Sequence, residues 1–357
     1  MTSYTVYAPP YTVGVDAYNK IGEYTGLYGK CAVVIGGKKA MAAAEKKLRA
    51  ASASNGPEIT DFVWFGRECT FETAEKLARL SSVREADMIF AVGGGKAIDT
   101  CKLVSIKLNK PFFTFPTIAS NCAAASSLSI VYNEDGSFCD FVHFLHSARH
   151  VFIDTEIIAE APERYLWAGI GDTYAKYYEV SISARGEQLE HYKAMGVNLS
   201  RMCMETLIQH GEQALYENKN RTPGYHLEQA TLAIIITTGW VSMLVARDHS
   251  MDYNGGIAHA FFYGLCNIPG FDENHIHGVV VGFGVLLLLM IDGDEEECHR
   301  LMKFNRRVGL PVCLRDIGVT LDQVKACAES MTKDEDVRHY PYKVTEEMII
   351  EAASKLQ

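Results

Sequence analysis

DMIFAVGGGKAIDTCKLVSIKL, residues 87–108, is a short apolar run that stops at three glycines and continues in helix-forming residues. Residues 87–92 have the β-branched and aromatic character of a buried strand, and a helix follows from about residue 96 to 108. Gly93, Gly94 and Gly95 let the backbone come close to a phosphate, with helix N–H groups and the helix dipole facing it. Lys96 adds a positive charge. The run is neither GxGxxG nor the P-loop pattern, and a tight βα turn would use the same glycines. It therefore decides a strand–turn–helix unit and leaves the ligand open.

Working outward, the same rhythm repeats. CAVVIGG (31–37) predicts a strand and 38–53 a helix; ITDFVWFG (59–66) predicts a second strand and 71–80 a second helix; PFFTFP (111–116) is a fourth strand. Alternating βαβαβ elements argue for a parallel sheet covered by helices. LSIVYNEDGSFCDFV (128–142) predicts a hairpin about Asn133-Glu134-Asp135-Gly136. From Pro162 onward the chain reads as long helical runs, at 165–185, 192–217, 227–247, 279–291 and 295–308. The expected fold is an α/β N-terminal domain with a Rossmann-like parallel sheet, residues 1–160. An all-helical domain, residues 161–357, follows it. No low-complexity linker separates the two, and a cleft between domains is the usual place for a small-molecule site.

Composition narrows the function classes. The 357 residues are 48% hydrophobic and 22% charged, which excludes disordered, collagen-like and small disulfide-scaffold chains. With 34 Lys+Arg against 44 Asp+Glu the net charge is −10, so a basic footprint for nucleic acid is missing. The ten cysteines form no CxxC motif and read as free thiols of a reducing cytoplasm. MTSYTVYAPPYTVG lacks the basic-then-apolar pattern of a signal peptide. Residues 229–246 and 279–291 are apolar, but they read as buried helices rather than membrane spans. The expectation is a cytoplasmic protein with a small-molecule partner and neither nucleic acid nor membrane.

Two further sets of residues carry chemistry. PTIASNCAAASS (116–127) ends the fourth strand with small and hydroxylated residues, suited to a flat ligand or equally to close packing. Gly169-Ile170-Gly171-Asp172 opens a helix, where a carboxylate is also expected as an N-terminal charge. His259 lies in GGIAHAFF (255–262), and His277 in HIHG (275–278) before a strongly apolar helix. One Asp and two His suit a divalent metal with an open position. Singly, each His reads as well as a hydrogen-bonded core residue.

GGGKAID, PTIASNCAAASSLSIVY, AGIGDTYAKYYE, GGIAHAFFYG and HGVVVGFG occur in the order found in the metal-dependent (iron-containing and zinc) alcohol dehydrogenase superfamily. The chain most resembles its glycerol dehydrogenase-like branch, and within that the hydroxycarboxylate dehydrogenases, with His339-Tyr340 as the final His-Tyr segment. The resemblance implies a dehydroquinate synthase-like fold, with a nucleotide domain, a helical domain and a metal in the cleft. It implies Asp172, His259 and His277 as the metal and catalytic set. Where iron-type relatives carry a further His, this chain has Lys176, so a three-ligand site favours zinc over iron. Gly94, Gly95, Lys96 and Asp99 match the cofactor phosphate loop; Thr117, Ser120, Ser126, Leu128 and Tyr132 match the wall around the rest of the nicotinamide cofactor.

Two departures from the family pattern bear on substrate and cofactor. Glycerol dehydrogenases place a hydroxyl-binding Asp where this chain has Cys122, and a thiol is a poor acceptor for polyol hydroxyls. Lys176, one helical turn from Asp172, is placed to meet the carboxylate of a 2-oxo acid. NAD-specific relatives end the first strand in an Asp that bonds the ribose 2′-hydroxyl; here the strand ends Gly37-Lys38-Lys39, which favours NADP(H) over NAD(H). The expected activity is hydride transfer between NAD(P)(H) and a small 2-oxo or 2-hydroxy acid. The alternatives are an NAD-dependent glycerol or polyol dehydrogenase and a lyase of the same superfamily. Resemblance also implies a homo-oligomer.

Overall fold

The computed structural model describes residues 5–246 and 253–357. Its contacts divide the chain into two compact units, Met1–Pro162 with Tyr216–Trp240, and Glu163–Leu215 with Val241–Gln357. The division expected from sequence, 1–160 and 161–357, differs chiefly in the excursion 216–240, which packs with the first unit. Two contacts show why. Asn218 is buried and donates to the carbonyls of Ile158, Ala159 and Ala161, closing the C-terminus of a short helix of that unit. At Gly239 a Cβ would lie 2.7 Å from Ala125 Cβ, so the helical segment sits directly on the small-residue run.

The first unit holds strands β1 (Tyr11–Gly14), β2 (Cys31–Gly36), β3 (Glu58–Trp64), β4 (Met88–Gly93), β5 (Phe112–Pro116) and β8 (Val151–Asp154) in one sheet. Their order is β1-β8-β5-β4-β2-β3, with every pairing parallel. The expected Rossmann-like parallel sheet is therefore present, with two strands, β1 and β8, that the sequence reading did not identify. β6 (Leu128–Tyr132) and β7 (Phe138–His143) form the expected antiparallel hairpin.

Every residue of β4 is buried, which is why it reads as a continuous apolar run rather than an alternating one. Phe90, Phe115 and Phe152 stack along the sheet at centroid separations of 4.8 and 5.1 Å, and Tyr18 meets Phe115 edge-on at 5.2 Å. Each such ring contributes roughly 1.5–3 kcal/mol through burial. The order also creates a switch point. From β2 the chain moves outward to β3 at the edge, then returns to β4 on the other side of β2 and continues towards β8. The crevice beyond the C-terminal ends of β2 and β4 is where open α/β sheets bind ligands.

Helices α1 (Lys38–Ser54), α2 (Phe71–Ala78) and α3 (Gly95–Leu108) follow β2, β3 and β4. The second unit is helical and includes α4 (Glu163–Ser183), α5 (Ile257–Leu265), α6 (His277–Asp292), α7 (Glu295–Val308) and α8 (Leu321–Lys333). α4 and α6 touch backbone to backbone: a Cβ on Gly171 would lie 2.2 Å from the Gly278 carbonyl, and one on Gly278 2.2 Å from the Ala168 carbonyl. Gly284 gives α5 the same access to α6, with Ala258 O 2.7 Å from a would-be Cβ. The glycines around the AGIGD and HGVVVGFG motifs thus bring three helices into contact. Among the described residues one helix, Tyr225–Val245, is long and apolar enough to cross a bilayer by length and composition, and 67% of its apolar window is buried within the fold.

Candidate metal centre and nucleotide loop

Asp172, His259 and His277 come from three different helices of the second unit and meet at one point, their ligand atoms all within 4.8 Å of one another. Asp172 is the tenth residue of α4, not the opening of a helix as the sequence suggested, so it is not an N-terminal charge. His259 is in the first turn of α5, and His277 is the first residue of α6. The Nε2 atoms of both imidazoles face the same oxygen, Asp172 Oδ1, at 3.5 Å for His259 and 3.4 Å for His277. One carboxylate oxygen and two imidazole nitrogens, only part-buried, could hold a divalent cation with a position left open.

A fourth group completes the arrangement. Glu179, fully buried on α4, accepts from the backbone N–H of His259 at 3.0 Å and from its ring Nδ1 at 2.7 Å. Sequence reasoning missed Glu179; its signal is the spacing of seven residues from Asp172, two turns along the same helix face. Burial disfavours the His259 imidazolium, but Glu179 and Asp172 outweigh it and hold the group up at about 10. Burial likewise opposes the Asp172 carboxylate, and the hydrogen bonds from both imidazoles overcome it, keeping the acid below the ordinary carboxylate range. His277 is held differently, edge-to-face against Phe262 at 4.5 Å.

Lys176 is engaged within the fold. Its side chain is buried and its ammonium donates to the Asn254 carbonyl and, at 3.0 Å, to Asn254 Oδ1. The helical spacing from Asp172 is as read, and the charge is bound to Asn254.

In the first unit the glycine run lies at the switch point. Gly93 has φ +147°, a conformation that favours glycine, and its would-be Cβ is 3.8 Å from Gly37 N. Gly94 is the N-cap of α3 with no side-chain cap, so the first amides of the helix have no internal partner there. Lys96 projects from the first turn, paired with Glu68 at 2.6 Å and 5.3 Å from the centroid of Tyr132. Lys38 sits over Trp64 at 4.5 Å, beside Gly37 at the end of β2. Thr117 is buried, with its N–H on the Gly93 carbonyl; Ser120, Cys122 and Leu128 are half-buried.

Asp99 is engaged within the fold. It is buried, one oxygen accepting from Lys102 Nζ at 2.9 Å and the other from Ile130 N at 3.3 Å. Lys102, only 1% exposed, also donates to Ser126 Oγ at 3.3 Å and to the Leu128 carbonyl at 2.6 Å. With Lys102, Asp99 fastens the 122–128 segment and β6 onto α3. Ser126 shares that bond. The small residues of this segment answer to packing as well, since Gly239 lies against Ala125 and Ser126.

Comparison with known proteins agrees with this layout. The family described as iron-containing alcohol dehydrogenase matches residues 8–155. A glycerol dehydrogenase of Pseudomonas putida is 30% identical over 354 residues, covering 95% of this chain and 93% of that protein. Hydroxycarboxylate dehydrogenase A of Escherichia coli (strain K12) is 31% identical over 331 residues, covering 91% and 89%. The crystal structure of a glycerol dehydrogenase from Schizosaccharomyces pombe superposes with a TM-score of 0.87 at 25% identity, over 100% of this chain and 91% of that one. The lyase alternative has no support among these relatives. A chain with this sheet, these converging side chains and relatives matched from end to end belongs to the iron-containing alcohol dehydrogenase family and is a glycerol dehydrogenase-like oxidoreductase.

Proposed function

We propose that the chain moves a hydride between NADP(H) and a small 2-oxo or 2-hydroxy acid, using one divalent metal, zinc in preference to iron. The observation that carries this is the convergence of Asp172, His259 and His277 on one point. These three would hold the ion. When bound, it supplies Lewis acidity that polarises a carbonyl or hydroxyl oxygen. The lack of a third histidine as fourth ligand, with Lys176 in its place and turned to Asn254, supports a three-ligand site.

The chain's own residues account for the rest. Gly93, Gly94 and Gly95 permit close backbone approach, and the uncapped amides of α3 suit a pyrophosphate, with Lys96 as counter-charge. Gly37 carries no carboxylate to repel a ribose 2′-phosphate, and Lys38 stands next to it. Thr117, Ser120, Leu128 and Tyr132 wall the remainder of the cofactor. Cys122 replaces a hydroxyl-binding acid, which favours a carboxylate-bearing substrate over a polyol; the hydroxycarboxylate dehydrogenase relative supports the same direction.

The second reading, an NAD-dependent glycerol or polyol dehydrogenase, is favoured by the names of relatives such as the Pseudomonas putida enzyme. Initial rates with NADPH and NADH, against a panel of 2-oxo acids and dihydroxyacetone, separate the two. Faster turnover of 2-oxo acids with NADPH is the expected result. Turnover confined to NADH and dihydroxyacetone would replace this proposal with the second reading.

A further inference from the structure

We infer that Glu179 is the positioning residue of the metal centre: its carboxylate fixes the orientation of His259 by accepting from both its backbone N–H and its ring Nδ1, so that Nε2 is the nitrogen presented to the ion. This rests on the reading of Asp172, His259 and His277 as ligands, and deepens it.

The geometry is a two-point grip. His259 is the third residue of α5, so its backbone N–H is one of the first-turn donors that no helix can satisfy internally. Glu179 Oε1 takes that N–H at 3.0 Å while Oε2 takes Nδ1 at 2.7 Å. One carboxylate therefore holds both the backbone and the ring of the same residue, which fixes the ring's direction as well as its distance. An ionised carboxylate only accepts, so Nδ1 must donate to it. Nε2 is left to face Asp172 Oδ1.

The surroundings confine Glu179 to this task. It is fully buried, so it has no solvent to turn to. On Gly256 a Cβ would lie 2.8 Å from Glu179 Cγ and 2.5 Å from the Tyr340 hydroxyl oxygen. Tyr340 in turn accepts the N–H of Ile257 at 3.0 Å, satisfying another first-turn donor. The glycine of the GGIAH motif thus has a local cause: it leaves room for the acid and the tyrosine that together cap α5. Groups placed like this orient metal-ligating histidines, and their loss typically weakens metal binding 10–100-fold.

The test uses the full-length protein stripped of metal, titrated with zinc against a chelating indicator. The variants are Glu179→Gln, Glu179→Asp and Asp172→Asn, and ¹⁵N-histidine NMR detects the protonated Nδ1 of His259. Glutamine keeps the shape but cannot accept both N–H groups, because one of its two terminal atoms is a donor. Zinc affinity is expected to fall about 10–100-fold in Glu179→Gln, with partial recovery in Glu179→Asp, which remains an acceptor. The wild-type spectrum is expected to show a hydrogen-bonded Nδ1–H that Glu179→Gln loses. Unchanged zinc affinity in Glu179→Gln, or a wild-type His259 without a proton on Nδ1, would overturn the inference. Equal zinc binding by wild type and Asp172→Asn would instead sink the ligand assignment, and the Nδ1–H signal would still decide the role of Glu179. If Glu179→Gln does not fold, Glu179→Asp and the wild-type spectrum decide it.

Discussion

At Gly37 a side chain would meet nothing nearer than Ala40 Cβ and Phe65 Cε1, both at 3.8 Å, and the backbone has φ −74°. A carboxylate can therefore be introduced without moving the chain. Gly37→Asp is expected to lower the ratio of kcat/KM for NADPH over NADH at least tenfold, about 1.4 kcal/mol of discrimination; an unchanged ratio would place the 2′-phosphate elsewhere. At this scale the three converging donors were legible only as ordered motifs, because no local pattern says that His259 and His277 meet. Glu179 was hidden for a related reason, since an acid within YAKYYEV looks like any helix carboxylate until its partner is seen. The inward contact of Asp99 was hidden too. Asp99 sits in the phosphate-loop motif, but the partner that turns it inward is Lys102, one turn further along.

Between elements, a tight constraint is the meeting of α4 and α6 at Gly171 and Gly278. Alanine at 171 gains about 1 kcal/mol of helix propensity. Against that, its Cβ would stand 2.2 Å from a backbone carbonyl that cannot swing aside, and forced overpacking costs about 1–3 kcal/mol or more. The clash wins, so Gly171→Ala is expected to lose about 2 kcal/mol in urea unfolding and to weaken zinc binding by displacing Asp172 from His277. Stability equal to or above wild type would show that the helices can part freely.

β8 carries a second test. His150 is buried beside it, bonded through Nε2 to Thr12 Oγ1 at 2.8 Å and stacked on Tyr24 at 4.0 Å; burial pushes its pKa down from 6.5 to about 4. The fold therefore holds the neutral ring, and between those values the unfolded chain binds more protons. His150 contributes stability in full above about pH 6.5, and that contribution is lost as pH falls towards 4. The stability gap between wild type and His150→Phe should narrow over this interval, and a constant gap would contradict the assignment. β1 and β8 themselves escaped the sequence reading because each is four residues long, too short for a periodicity to declare itself. The longer strands β2, β4 and β5 and the NEDG hairpin were legible because burial on both faces and turn chemistry leave direct traces in sequence.

For the molecule as a whole, the two sets of functional residues belong to different compact units. The glycine run 93–95, proposed as the nucleotide loop, lies within the first, and Asp172, His259 and His277, the proposed metal donors, lie within the second. A ligand at 100 times its Kd stabilises the state that binds it by about 2.7 kcal/mol. Zinc is therefore expected to slow amide exchange chiefly in α4, α5 and the start of α6, and NADPH chiefly around 93–108 and the end of β2. Protection by zinc confined to the first unit would contradict the site. The excursion 216–240 was not legible as part of the first unit, because membership is decided by tertiary partners such as Asn218 and Gly239 rather than by helical pattern.

The most direct measurement is turnover of the metal-stripped protein against added zinc equivalents, with NADPH and a 2-oxo acid, in wild type and Asp172→Asn. Activity is expected to rise linearly and level at one equivalent per chain in wild type, and to remain at least about 100-fold lower in Asp172→Asn, about 2.7 kcal/mol in the barrier. Turnover that is independent of metal, or equal in the two proteins, would contradict a catalytic centre built on Asp172, His259 and His277.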